Sequence, residues 1–345
     1  MKHAFLTITV AATLATAGHA EPSLRVTNIF PIQNKHVHSS SIVECPNGDL
    51  LCCWFHGSGE RTGVDVVVQG ARLKAGESNW GPVFLMADTP EFPDCNPVLF
   101  VDSADRLWLF WITVLAERWE CSQLKYRIAT EYAGDGPPKW NWQDVVQLKP
   151  GEAFADVMRA RFEALGVEDG MWAEYARPYH RLLLESAQDP YKRQTGWMTR
   201  THPLTLPSGR VLVPLYSDGF NASLMAISDD QGKTWQASSP IIGLGPIQPT
   251  VVRKQDGTLT AYCRDSGDAP QRVLMAESTD DGKTWRILSD IPVRPGDNKA
   301  DYHELHAVEA ADGRIIVQIR NHNKANNRET LQRESTDGGK TWTVP

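Results

Sequence analysis

Apolar and polar positions alternate in short runs along most of this chain, and one unit returns five times. It consists of a polar residue, a brief apolar strand, a turn rich in Gly and Asp, and a second apolar strand. The copies run over His38–Phe55, Asn96–Trp111, His202–Tyr216, Gln248–Arg264 and His306–Arg320. Period-two alternation with β-branched residues around turn formers predicts five hairpins. In phase with them an octapeptide, S-x-D-x-G-x-T-W, occurs at Ser228–Trp235, Ser278–Trp285 and Ser335–Trp342, with degenerate copies ending at Trp80 and Trp140. An Asp that folds back onto backbone N–H groups, a Gly at positive φ and a Trp packed beneath describe a tight turn. These Asp residues therefore read as turn builders rather than as catalytic carboxylates. A repeat of about 50–60 residues holding four strands predicts an all-β propeller, with each hairpin forming the two inner strands of a blade.

One segment breaks the rhythm. From Glu152 to Gln194 the chain carries helix formers, in Phe154–Leu165 and Tyr179–Ala187, which predicts a helical insertion over 152–194 between the second and third blades. Insertions in repeat folds decorate the face that binds something. At the other extreme, Met1–Ala20 has a basic start, an apolar run over Phe5–Ala17 and a small-x-small site at Gly18–Ala20. That is the pattern of a signal peptide over residues 1–20, and it predicts a secreted or periplasmic protein whose propeller domain spans 21–345. The apolar run is shorter than the roughly 20 residues that span a bilayer, and no second one follows.

Composition narrows the partners. Twelve Trp and 41% hydrophobic residues suit a packed, aromatic-rich domain, and the net charge of −7 comes without any Lys/Arg run. Neither nucleic acid nor membrane insertion is expected. The six cysteines, Cys45, Cys52, Cys53, Cys95, Cys121 and Cys263, show no metal-ligand spacing. Export would permit disulfides, Cys95 with Cys121 being a candidate pair, and buried free thiols are the other reading.

The three octapeptides and the phased hairpins resemble the Asp-box propellers of the sialidase (neuraminidase) superfamily, in its bacterial BNR-repeat branch, over residues 36–345 apart from the insertion. The resemblance implies a six-bladed type of which five blades are visible. Either a strand over Leu24–Phe30 closes an irregular ring or the sequence is truncated at its C-terminus; truncation is the expectation. It also implies an arginine triad for a substrate carboxylate, an Asp acid/base, and a Tyr nucleophile activated by Glu. A neutral nucleophile suits an anomeric centre that already bears a carboxylate, because like charges repel.

Carried over residue by residue, the resemblance places Arg264 and Arg320, at the ends of second inner strands, in the triad, and Asp65 at the acid/base. The competing readings are a surface arginine paired with a carboxylate and an Asp that begins a turn. Three departures matter. No Phe-Arg-Ile-Pro motif precedes the first blade; Gln248 stands where the activating Glu is expected, and an amide cannot take its proton; and a tyrosine after the fifth blade cannot be sought, because the sequence stops at Pro345. A histidine-centred alternative uses His38, with His202, His303, His306 and His322 near other strand ends, each also readable as a structural histidine. Glu304 and His306 are expected on one strand face, away from His303; that spacing matches no metal motif, so no metal or cofactor is expected. Among the tryptophans Trp54, Trp111 and Trp197 read as core, and Trp119, in a loop, as a sugar platform.

These readings predict an exported enzyme hydrolysing a terminal acidic sugar, with His38 or Asp65 handling the proton and Arg264, Arg320, Gln248, Glu304, His306 and Trp119 binding substrate. A uronate-directed lyase or rhamnosidase-like propeller enzyme is the first alternative. A non-catalytic glycan-binding propeller is the second.

Overall fold

The structure, a computed structural model, describes residues 26–344 apart from 166–176, 268–270, 295, 297–298 and 324–328. Its strands form five separate antiparallel sheets, each built from consecutive stretches of chain. The five expected hairpins are the first two strands of the five sheets, and the first strands lie side by side around the centre: His36–Glu44 against Asp94–Val101, and Pro246–Arg253 against Tyr302–Glu309. This is a five-bladed β-propeller. Sheets one, two and four have four strands each. The third has five strand segments and the fifth, among the described residues, three.

Apolar cores fill the wedges between blades. Trp108, Phe110 and Tyr126 of the second blade meet Val213 and Leu215 of the third, and Tyr262 of the fourth meets Val317 and Ile319 of the fifth. The insertion is helical: α1 (Ala153–Leu165), α2 (Arg177–Gln188) and α3 (Pro190–Gln194). Phe154, Met158 and Phe162 of α1 and Leu183 and Ala187 of α2 are buried in the same core as Trp197 and Phe220, which docks the helices onto the second and third blades. The short α3 has a plain sequence cause that the periodicity does not carry. Asp189 caps its N-terminus by accepting from the Tyr191 N–H at 2.9 Å, and Pro190 takes the first helical position.

The octapeptides fold as the turn chemistry requires. In the first, the Asp230 carboxylate accepts from the Thr234 N–H at 2.9 Å and from its hydroxyl at 2.6 Å, while Ser228 Oγ accepts from the Gly232 N–H. The other two boxes repeat these bonds at Asp280 and Asp337. Gly232 sits at φ +89°, where a Cβ would lie 2.3 Å from the Trp108 ring, so no other residue fits. Asp230→Ala should lower unfolding stability by about 1 kcal/mol, the worth of a local side-chain bond, and leave ligand binding unchanged. Loss of binding in the folded variant would contradict a purely structural box.

Several expectations are corrected. Val26–Phe30 form no strand; instead Phe30 packs its ring 4.8 Å from Trp54. All six cysteines are free, so Cys95, which is buried, and Cys121 are not paired. The expected signal peptide, residues 1–20, lies outside the described residues. Among those that are described, no helix is long and apolar enough to cross a membrane.

Candidate active site

Every blade breaks its first strand at the same depth, and the breaks build the site. Register shifts fall between His38 and Ser41, Cys95 and Val98, Ile247 and Thr250, and Tyr302 and Leu305. In the third blade the first strand divides into Met198–Thr199 and Leu204–Thr205, releasing residues 200–203. A bulge leaves residues unpaired and re-aims their side chains. Here it turns Asn96, Arg200, Gln248 and Glu304 toward the centre beside His38. Ser39, Asn96 and Gln248 hold positive φ of 57°, 49° and 50°, a strain of order 1–3 kcal/mol each that the surrounding sheets must hold. Pro97 and Pro249 follow two of them, at positions where a missing N–H costs no ladder bond.

Two adjoining cavities, of about 310 and 410 Å³, open at this centre and share His38, Arg200, Gln248 and Glu304. The larger is also lined by Phe55, Glu60, Asn96, Trp119, Tyr179, Tyr216, Asp218 and Arg264. The smaller takes in His306, Gln318 and Arg320. Tyr179 comes from α2, so the insertion walls the larger cavity.

A charged chain crosses the floor from the fifth blade to the first. Glu304 accepts from Arg320 at 3.0 Å through one oxygen and from Arg200 at 2.9 Å through the other. Burial works against its ionisation, but Arg200 and Arg320 overcome this and hold its carboxyl down to about 2. Arg200 also reaches His38 Nε2 at 3.3 Å. Guanidinium has no acceptor, so Nε2 must carry the lone pair and Nδ1 the proton, which is donated to Glu60 Oε1 at 2.9 Å. That bond is the main reason the Glu60 carboxyl lies below its ordinary value.

Arg264 stands apart from this chain. It is half-buried, makes no hydrogen bond or ion pair with any described residue, and its Nε is buried without a partner. Burial lowers its guanidinium pKa. Around the same cavity, Tyr216 is buried, accepts from Asn96 Nδ2 at 3.2 Å, and has its phenol pushed up to about 12 by burial. Asp218 opens onto the cavity, yet the protein around it withholds enough water to raise its carboxyl above the ordinary value.

The sequence-based site is thus partly assembled. His38, Gln248 and Glu304 line both cavities, Arg264 and Trp119 the larger, Arg320 and His306 the smaller. Arg264 and Arg320 therefore do not share one cavity. Asp65 lines neither: Lys35 Nζ contacts its carboxylate at 2.7 Å and Ser58 donates from both N–H and Oγ, holding the group well below the usual range and tying down the loop. Nor does His202, whose Nδ1 lies 3.1 Å from the Leu99 carbonyl. In the third and fifth blades the repeat unit read from the sequence begins at His202 and His306, two residues past Arg200 and Glu304, where the first strand is broken; Glu304 and His306 both reach the smaller cavity, and Arg200 is the residue that the pattern misses. Tyr216 was legible, since it ends its second strand in the register that picked out Arg264. Glu60 and Asp218, both on loops, had no sequence signal. Among the described residues, two groups have the ligand types and closeness for a cation, His36–His38–Glu60 and Asp301–His303–His322.

Sheets, boxes and central cavity together define a propeller of the sialidase-like class. The chain belongs to the family of BNR repeat-like domain proteins, whose profile matches residues 48–173 and 193–344. No curated protein matches it. Among solved structures it is similar to a protein of unknown function from Dyadobacter fermentans, at 15% identity over 92% of this chain and 85% of that one, with a TM-score of 0.61. A mutant NanB sialidase from Streptococcus pneumoniae gives 10% identity, 93% and 63% coverage, and a TM-score of 0.61. The Trypanosoma rangeli sialidase gives 14%, 88% and 47%, with a TM-score of 0.58. The chain thus spans less than two thirds of those two sialidases.

Proposed function

We propose that this protein is a glycan-active enzyme, exported from the cell, that hydrolyses a terminal acidic sugar. The observation that carries the reading is Arg264, a half-buried guanidinium opening on the larger cavity that no anion among the described residues holds by a hydrogen bond or ion pair, although Glu304 and Asp218 line the same cavity. A fork of that kind suits a carboxylate, which it can hold through two parallel bonds. Trp119 and Tyr179 supply aromatic faces on which a sugar ring can stack.

Two groups are suited to the proton transfers. Asp218, which opens onto the cavity and whose carboxyl is raised by the protein crowding around it, serves as the acid that protonates the leaving oxygen. His38 serves as the base: its Nε2 lone pair, released from Arg200, takes a proton from water, and Glu60 on Nδ1 stabilises the imidazolium. Asp65, ionised and held by Lys35, takes no part. Tyr216 has a high-lying phenol that is bonded to Asn96 and to no carboxylate among the described residues, so water is the better nucleophile. That same feature favours a second reading, a lyase in which His38 removes the proton beside a uronate carboxylate neutralised by Arg264 and the protonated Tyr216 serves the leaving oxygen.

The test is to incubate the protein with oligosaccharides ending in sialic acid or hexuronate and follow both released sugar and ultraviolet absorbance. Release without new absorbance supports hydrolysis. Absorbance of an unsaturated uronate replaces it with the lyase. No turnover of any acidic glycan removes the enzymatic proposal.

A further inference from the structure

His36 and His38 are two apart on the strand His36–Glu44, so their side chains share a face. Both rings pack near Phe55, at 5.7 and 5.5 Å between centroids, which limits their rotation. Glu60 comes in from the loop after the strand Leu50–Gly57. The three facing atoms make a nearly equilateral triangle: His36 Nε2 to His38 Nδ1 is 3.3 Å, His36 Nε2 to Glu60 Oε1 is 3.1 Å, and His38 Nδ1 to Glu60 Oε1 is 2.9 Å. Zinc bonds of about 2.0–2.1 Å in tetrahedral geometry set neighbouring ligands about 3.3 Å apart. An ion seated over this triangle therefore reaches all three atoms with little rearrangement.

Hydrogen bonding does not exhaust the cluster. His38 Nδ1 has a single in-plane direction, and two partners within 3.3 Å compete for it. The side chains of His36, His38 and Glu60 are 39%, 34% and 36% exposed, so an ion can enter from solvent and keep positions open to water. Two imidazoles and a carboxylate suit zinc and its neighbours among the divalent transition metals. The other grouping is not shaped this way. The His303 and His322 rings stack at 3.9 Å and 5°, so their in-plane lone pairs run parallel and cannot converge on one ion.

We propose that His36, His38 and Glu60 form a zinc-class cation site at the rim of the larger cavity, and that an ion bound there switches the enzyme off. Binding at Nδ1 moves the remaining His38 proton to Nε2, opposite Arg200. Arg200 keeps Glu304 at 2.9 Å, but its bond to His38 is lost. That competition, with only three protein ligands, makes binding weaker than that of structural zinc. The inhibitory part rests on the function proposed above, because the ion occupies the pair that would carry the proton.

Titration calorimetry with zinc chloride in a non-chelating buffer tests the site without any substrate. The expected result is one ion per chain, weakened about 100-fold or more in His36→Ala and unchanged in His322→Ala, with thermal melts showing that both variants fold. On an acidic glycan substrate, zinc should inhibit the wild type, while His36→Ala stays active and resists inhibition. A wild type that binds no zinc, or binding that survives both His36→Ala and Glu60→Gln, overturns the site. Stoichiometric binding without inhibition upholds the site and overturns the role given to His38.

Discussion

Arg264→Ala should raise the KM for an acidic sugar by roughly 100-fold while changing that for the corresponding neutral ester only slightly. The size follows from where the guanidinium sits. It is half-buried, and no anion among the described residues is hydrogen-bonded or ion-paired to it, Glu304 and Asp218 acting on it only across the cavity, so its donors are open to a carboxylate. Truncating one partner of such a pair costs about 2–5 kcal/mol, and each 1.4 kcal/mol is about a factor of ten. Arg264→Lys should recover only a fraction, because an ammonium is a point charge and cannot present two parallel donors. The same change at Arg320 should matter less, since that side chain is 54% exposed and already paired with Glu304. Steady-state kinetics on matched acid and ester substrates decide the matter. Equal losses on both would mean that Arg264 reads no carboxylate, and the acidic-sugar reading would fall.

Glu304→Gln should destabilise the propeller by about 2–3 kcal/mol at neutral pH, with the difference disappearing in acid. The folded-state pKa of about 2 lies below that of the unfolded chain, about 4.3. A depressed carboxyl adds stability that is fully present above the unfolded value and is lost as pH falls through the folded one. The window is therefore roughly pH 5 down to pH 2. A two-unit shift corresponds to about 3 kcal/mol, reduced somewhat because solvent screens the Arg320 side of the pair. The variant also leaves Arg200, only 13% exposed, facing Arg320 without the carboxylate between them. Denaturant unfolding at pH 7, 5 and 3 would show the two proteins converging. A gap that stayed constant with pH would show that Glu304 is not ionised against its arginines.

The chain of contacts from Arg320 through Glu304, Arg200 and His38 to Glu60 joins three blades and one loop. Its length explains why the site is sensitive to register. A bulge displaced by one residue would turn Arg200 or Glu304 to the opposite face and break the line at its middle.

Much of the fold was determined by the sequence alone, because it is local. A turn of the S-x-D-x-G-x-T-W kind is closed by bonds spanning four residues, such as Thr234 N–H to Asp230, and hairpins pair neighbours along the chain. Such features leave their pattern in consecutive positions, so five blades, three boxes and a helical insertion were all legible. Strand ends in a shared register were legible too, which is why Arg264, Arg320, His38 and Gln248 could be named. What only the tertiary structure decided is where side chains from different blades meet. Arg200 and Glu304 are 104 positions apart, and Arg200 and His38 are 162 apart. No spacing along the chain encodes those encounters. They depend on bulges whose unpaired residues shift the phase within a strand, which is why the hairpin pattern points to His202 in the third blade while Arg200, two residues earlier, lines the cavity. Loops are freer still, and so a nearby lysine and serine claim Asp65 for the loop's own stability while Glu60, five residues earlier, faces the cavity.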